Sequence, residues 1–209
     1  MPHRLRGLYV ILDPQVAGER VLTHIASEAI AGGARLIQWR DKRREKGLQL
    51  PELEAIARIC REKAVPLIIN DDVDVALAVG ADGVHVGQKD LPVTAVRRIV
   101  PDDWIVGAST NSLEEARQAV ADGATYVSVG NLFGTTSKDD TRPATLDMLH
   151  AVKTAVSVPV CAIGGIDESN IRSVIDAGAD MASVISAVVA AEHPREAAGR
   201  LAAAFEGGQ

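Results

Sequence analysis

Short β-rich runs alternate along the chain with stretches of amphipathic helical character. The runs are GLYVILD (7–13), RLIQWRD (35–41), PLIIND (66–71), DGVHVG (82–87), WIVGAS (104–109), TYVSVG (125–130), PVCAIGG (159–165) and MASVIS (181–186). Between them lie segments rich in Ala, Glu, Leu and Arg, such as VLTHIASEAIAGG and SLEEARQAVADG. Gly commonly follows each helical segment, as helix C-terminal caps require. Three helix-to-strand junctions look alike: GADGVHV, DGATYVSV and AGADMASV. Eight βα units without a linker or a composition shift predict a single (β/α)8 TIM barrel over 1–209. A doubly wound open sheet is the alternative. It seldom needs eight units and usually opens on GxGxxG, which is missing here.

A barrel places chemistry at the C-terminal ends of its strands. The polar residues gather there. In an extended chain alternate side chains share a face, so Gln38, Arg40 and Lys42 at the end of the second run point one way. The third run ends in Asn70, Asp71 and Asp72, and the fourth is followed by Gln88, Lys89 and Asp90. The fifth ends at Ser109, Thr110 and Asn111, the sixth leads to Thr135, Thr136, Ser137 and Lys138, and the last two end in Gly164-Gly165 and Ser186.

Composition narrows the partners. Apolar residues make up 47% of the 209, enough for one large core, and the net charge of −6 argues against a broad nucleic-acid surface. An anionic ligand must then be caught by a local cluster. The two cysteines, Cys60 and Cys161, sit in apolar runs and read as buried free thiols of a reducing cytosol. No run approaches a membrane span, and MPHRLRG lacks a signal-peptide core, so a cytoplasmic protein is expected. The oligomeric state stays open.

Arg40, Lys42 and Lys138 converge from separate strand ends and suit phosphate oxygens. A solvated charged face is the bland reading of any one of them. Asp71 and Asp90 follow adjacent strands and read as a Mg²⁺ seat beside a polyphosphate, against the plainer reading of salt bridges. Asp72 could replace Asp71 on spacing alone, and Asp74 reads as the first turn of a helix. Gly164, Gly165 and the SVISAV run allow backbone N–H groups to approach a monophosphate. The connection from Asn131 to Thr145 is long for a βα loop, as lids and ligand-binding segments are. His85 reads as a strand-face histidine, with no Ser or Cys nucleophile placed to pair with it, and no Cys–His spacing suggests zinc.

The order of these clusters resembles the thiamin phosphate synthase family along nearly the whole chain. The resemblance is carried by GGARLIQWRDK, LIINDDVDVALAVGADGVHVGQKDL, IVGASTNSLEEA, TYVSVGNLFGTTSK, VPVCAIGGI and SVISAV. It implies a transferase of thiamin biosynthesis that joins a hydroxymethylpyrimidine pyrophosphate to a hydroxyethylthiazole phosphate with release of pyrophosphate. By resemblance Gln38, Trp39, Arg40, Asp41, Lys42, Asn70, Ser109 and Lys138 bind the pyrimidine pyrophosphate. Arg40, Lys42, Ser109 and Lys138 would act in catalysis, and Asp71 and Asp90 would hold Mg²⁺. Thr135, Thr136, Ser137, Gly165, Ile185 and Ser186 resemble the thiazole phosphate site. The family usually shows a GPxFPT-type run after the sixth strand, where this chain has GNLFGTTSK, so Asn131 and Gly134 should leave this loop less stiff. Two alternatives remain at this level, a thiazole tautomerase-like isomerase and a non-catalytic thiamin phosphate-binding protein. The former tends to carry a histidine where Asn131 stands, and neither needs the Asp71–Asp90 pair.

Overall fold

The computed structural model describes residues 5–134 and 143–206. Eight strands lie among them: β1 (Gly7–Leu12), β2 (Leu36–Trp39), β3 (Leu67–Asn70), β4 (Gly83–Val86), β5 (Ile105–Thr110), β6 (Tyr126–Val129), β7 (Val160–Ile163) and β8 (Met181–Val184). They pair in parallel in sequence order, and β8 returns to β1 to close the barrel. The closed (β/α)8 architecture is the one expected from the eight repeated units. Both faces of each strand are covered, which is why the runs are almost wholly apolar.

Strand alternation sorts side chains into two cores. Val10, Ile37, Trp39, Ile69 and Val84 point outward and pack beneath the helices. Tyr9, Leu36, Ile68, Ile105, Tyr126, Cys161 and Met181 fill the barrel axis. Moving toward the C-terminal ends, the inward residues turn polar: Gln38, Asn70, His85, Ser109, Ser128 and Ser183. Cys60 and Cys161 are both buried free thiols. Burial pushes the Cys60 thiol up to about 12, where it is inert.

The helices α2 (Leu22–Ala31), α3 (Lys46–Glu62), α6 (Leu113–Ala121), α7 (Leu146–Ala155) and α10 (Pro194–Ala203) cover the outside, with α1 (Pro14–Ala17), α4 (Val73–Val79), α5 (Val93–Arg97), α8 (Ile171–Asp176) and α9 (Ser186–Val189) as shorter pieces. The three look-alike junctions have a common physical task. Asp82, Thr125 and Asp180 each stand just before an even-numbered strand. Their side chains accept hydrogen bonds from Leu67 N, Val106 N and Val160 N, at 2.8, 2.9 and 2.8 Å, near the start of the strand before. Each junction thus latches a new strand onto its neighbour. No helix among the described residues is long and apolar enough to cross a membrane.

Candidate active site

A cavity of about 1170 Å³ opens at the C-terminal ends of the strands. Pockets for one small molecule run to roughly 300–1,000 Å³, so this one has room for two side by side. Of the residues singled out in the sequence, Arg40, Lys42, Asn70, Asp71, Asp90, Ser109, Gly165, Ile185 and Ser186 line it. Thr135, Thr136, Ser137 and Lys138 lie outside the described residues.

One side is charged. Arg40 is largely buried and donates from Nη1 to Asp13 Oδ2 at 2.5 Å. Asp13 also accepts from Gln15 N at the start of α1. Lys42 forms an ion pair with Asp71, and Asn70 Nδ2 donates to the same Asp71 oxygen at 2.6 Å. Asp71 has a left-handed backbone, φ +61°, a conformation that Asp tolerates better than most residues. Asp90 accepts from Gly87 N at 2.8 Å. Burial pushes the Asp71 carboxyl up to about 6, with Lys42 opposing and the neighbouring Asp90 carboxylate adding to the rise. Asp72 is drawn away to Lys46 at 2.7 Å and does not line the cavity, whereas Asp71 does. Asp74 lies in the first turn of α4 and also pairs with Lys46.

The other side is built from backbone. Gly164 and Gly165 both have positive φ, +103° and +62°. A Cβ on Gly165 would collide with the Gly134 carbonyl and Phe133, and one on Gly164 with Asn131. These glycines therefore serve first to let the loops after β6 and β7 pack backbone to backbone. Gly165 remains exposed to the cavity, as does Ser186, which opens α9.

Between the two sides lies the floor. Ser109 Oγ is 2.9 Å from His85 Nε2, and His85 Nδ1 is 2.8 Å from the Tyr126 hydroxyl. The sequence-based expectation that no Ser is placed to pair with His85 is thus overturned. Parallel pairing of β4 and β5 sets the two side by side: His85 is opposite Gly107, and Ser109 is the next inward residue. The other ring nitrogen meets a phenol rather than a carboxylate, so the pair lacks the third group of a nucleophile triad.

Three other residues sit apart from the cavity. Gln38 lies beneath its floor, donating to Tyr9 Oη at 2.6 Å beside a void of about 10 Å³. Trp39 points outward, its Nε1 donating to Gln49 Oε1 at 2.8 Å and its ring under the Arg44 guanidinium. Asp41 caps the following turn through Arg43 N and Arg44 N and pairs with Arg44. The structure brings neither Trp39 nor Asp41 to the site. It adds Gln15, Gln88, Ser128 and Ser183 to the lining, along with Asp13 behind Arg40. Asp13 closes the GLYVILD run, and that position at a strand's C-terminal end is the signal that could have found it.

The family model described as thiamine monophosphate synthase matches residues 8–188. A thiamine-phosphate synthase of Roseiflexus sp. (strain RS-1) is 50% identical over 191 residues, 91% of this chain and 81% of that protein. One from Alkaliphilus oremlandii is 45% identical over 201 residues, 96% of each. Among solved structures, the thiamine phosphate pyrophosphorylase from Pyrococcus furiosus superposes with a TM-score of 0.89 at 38% identity, covering 98% of this chain and 97% of that one. A 3-hexulose-6-phosphate synthase, TM-score 0.68 at 21% identity, shares the fold, over 95% of this chain and 99% of that one.

Proposed function

The chain belongs to the thiamine monophosphate synthase family and is a transferase of thiamine biosynthesis, and from that premise we propose how its cavity divides the work. The charged side takes the pyrophosphate of a hydroxymethylpyrimidine pyrophosphate, and the glycine side takes the phosphate of a hydroxyethylthiazole phosphate. The observation that carries this reading is the pairing of two cations, Arg40 and Lys42, with two carboxylates, Asp71 and Asp90, on one wall of a cavity large enough for both substrates.

The carboxylate pair suits a divalent cation. Asp71 and Asp90 are hard oxygen donors at neighbouring strand ends, and burial together with the Asp90 carboxylate raises the Asp71 carboxyl, a cost that a bound cation would relieve. Among the described residues no group of three or more His, Cys, Asp or Glu is placed to hold a metal ion by itself. A Mg²⁺ held here would therefore complete its shell with substrate oxygens and water, as Mg²⁺ commonly does. When bound, Mg²⁺ would neutralise charge developing on the leaving pyrophosphate.

The residues of the chain supply the rest. Arg40 is fixed by Asp13, so its guanidinium is oriented before substrate arrives. Lys42 and Asn70 add donors beside it. Loss of pyrophosphate would leave a pyrimidine-methyl cation, which the thiazole nitrogen traps. That chemistry asks for no protein nucleophile, consistent with a His85 ring occupied by Tyr126 and Ser109. Ile163, Ile166 and Val184 line the cavity and limit the water that would quench the cation. The reducing cytosol is the proposed compartment, supported by two buried free thiols.

Mixing both substrates with and without Mg²⁺ tests the reading directly. Thiamin phosphate and pyrophosphate should appear together, and excess chelator should stop both. Product at an undiminished rate in chelator would remove the metal from the proposal. On the opposite wall, Gly165→Val should weaken thiazole phosphate binding and also cost about 1–3 kcal/mol from the left-handed backbone alone. Ser186→Ala loses only a hydroxyl, so its effect on thiazole phosphate affinity should stay within about tenfold. Titration of the thiazole phosphate and a thermal melt of each variant measure both effects.

A further inference from the structure

Five polar side chains form one hydrogen-bonded chain through the barrel axis: Gln38, Tyr9, Tyr126, His85 and Ser109. The links measure 2.6, 3.0, 2.8 and 2.9 Å in that order. Every member but Ser109 is buried, and the run reaches the cavity at His85 and Ser109.

The first link is the one with a fixed direction. The Gln38 amide nitrogen can only donate, so the Tyr9 oxygen accepts. Either hydroxyl can donate across the Tyr9–Tyr126 contact; with Tyr9 already accepting from Gln38, the run pairs each hydrogen along its length when Tyr9 donates to Tyr126. Tyr126 in turn passes its hydrogen to His85 Nδ1. In that arrangement the Nδ1 lone pair accepts and the ring proton sits on Nε2, pointing at Ser109 Oγ. Burial raises both tyrosine pKa values, so both phenols keep the hydrogens this requires. The Ser109 oxygen, already accepting from His85, has its hydroxyl hydrogen left to offer to the cavity.

We propose that His85 is a positioning residue: held in its Nε2–H form by Tyr126, it presents the Ser109 hydroxyl as a hydrogen-bond donor to a ring nitrogen of the pyrimidine. The identity of that ligand rests on the functional reading above; the direction of the chain does not. A serine fixed as a donor selects an acceptor lone pair at the floor and disfavours a ring presenting an N–H there.

Two measurements test this. In protein labelled with ¹⁵N-histidine, the His85 ring signals, identified by their loss in His85→Gln, should report the proton on Nε2. Tyr126→Phe should let the other tautomer appear. A proton on Nδ1 in the wild-type protein overturns the proposal, and so does an unchanged ring in Tyr126→Phe. In kinetics, Tyr126→Phe and Ser109→Ala should each raise KM for the pyrimidine pyrophosphate about threefold to tenfold, one neutral hydrogen bond's worth, leaving KM for the thiazole phosphate alone. Because Tyr126 acts through Ser109, the double variant should match Ser109→Ala. Independent, multiplying effects would show a merely structural Tyr126. His85→Gln, which keeps an N–H near the former Nε2, should stay within about threefold of wild type, whereas His85→Leu should not; equal losses overturn the role. If wild type forms no product, the functional reading fails while the ring signals still decide the direction of the chain.

Discussion

Asp71→Asn is expected to lower turnover about 100-fold, the scale on which a single pre-placed electrostatic group acts, while leaving the fold at least as stable as wild type at neutral pH. Asn keeps the shape and tolerates the left-handed backbone that Asp71 adopts, so the substitution changes charge without adding strain. Its stability follows from the carboxyl itself. Burial and Asp90 raise Asp71 from 3.8 to about 6, so the folded chain binds that proton more tightly than the unfolded one. Stability of the metal-free wild type therefore falls as pH rises from about 4 through 6 and is lowest, on this account, above it. Asn carries no such penalty. Melts in chelator should show the variant equal or higher in Tm at pH 7.5, with the gap closing as pH falls to 4. A variant that is inactive because it has unfolded would contradict this, as would one with full turnover.

Arg40→Ala should lose both activity and stability. Arg40 and Asp13 have 11% and 2% of their side chains exposed, so removing the guanidinium leaves a carboxylate in the barrel wall. Breaking a buried ion pair in this way costs about 3–5 kcal/mol, and the lower end applies because Gln15 N still binds Asp13. For a chain of this size, about 3 kcal/mol corresponds to a Tm lower by about 6–12 °C. Turnover should fall more than thiazole phosphate affinity, since the lost cation is the one proposed to meet the leaving group. Adding Asp13→Asn to Arg40→Ala should recover part of the Tm and none of the turnover. Recovery of both together would place Arg40 in structure alone.

The barrel was legible because every strand announces itself by an apolar run, and most do so again by a polar cluster after it. Most of the cavity wall followed from the rule that strand C-terminal ends carry chemistry. What escaped the sequence falls into two physical kinds. Trp39 and Asp41 are neighbours of Gln38, Arg40 and Lys42, and the same alternation that turns those three inward turns these two toward α3 and its loop. A motif read as a block hides that alternation. The Tyr9–Tyr126 contact joins residues 117 positions apart across the barrel axis. Nothing local to GLYVILD or TYVSVG specifies it; closure of the barrel does. His85 is the strand-face histidine the sequence suggested, but its partner Ser109 was missed because it stands on the next strand rather than nearby in the chain.

The Lys42–Asp71 ion pair joins one member of the proposed anion-binding set to one member of the proposed cation-binding set. Neither can serve its proposed ligand fully while it holds the other. A cation held by Asp71 would free the Lys42 ammonium for phosphate oxygens, and an anion held by Lys42 would uncover Asp71 for a cation. Reciprocity then requires each ligand to tighten the other by the same factor. The charged wall would thus behave as a double latch, loosely closed on itself and opened by either half of a metal–pyrophosphate pair for the benefit of the other.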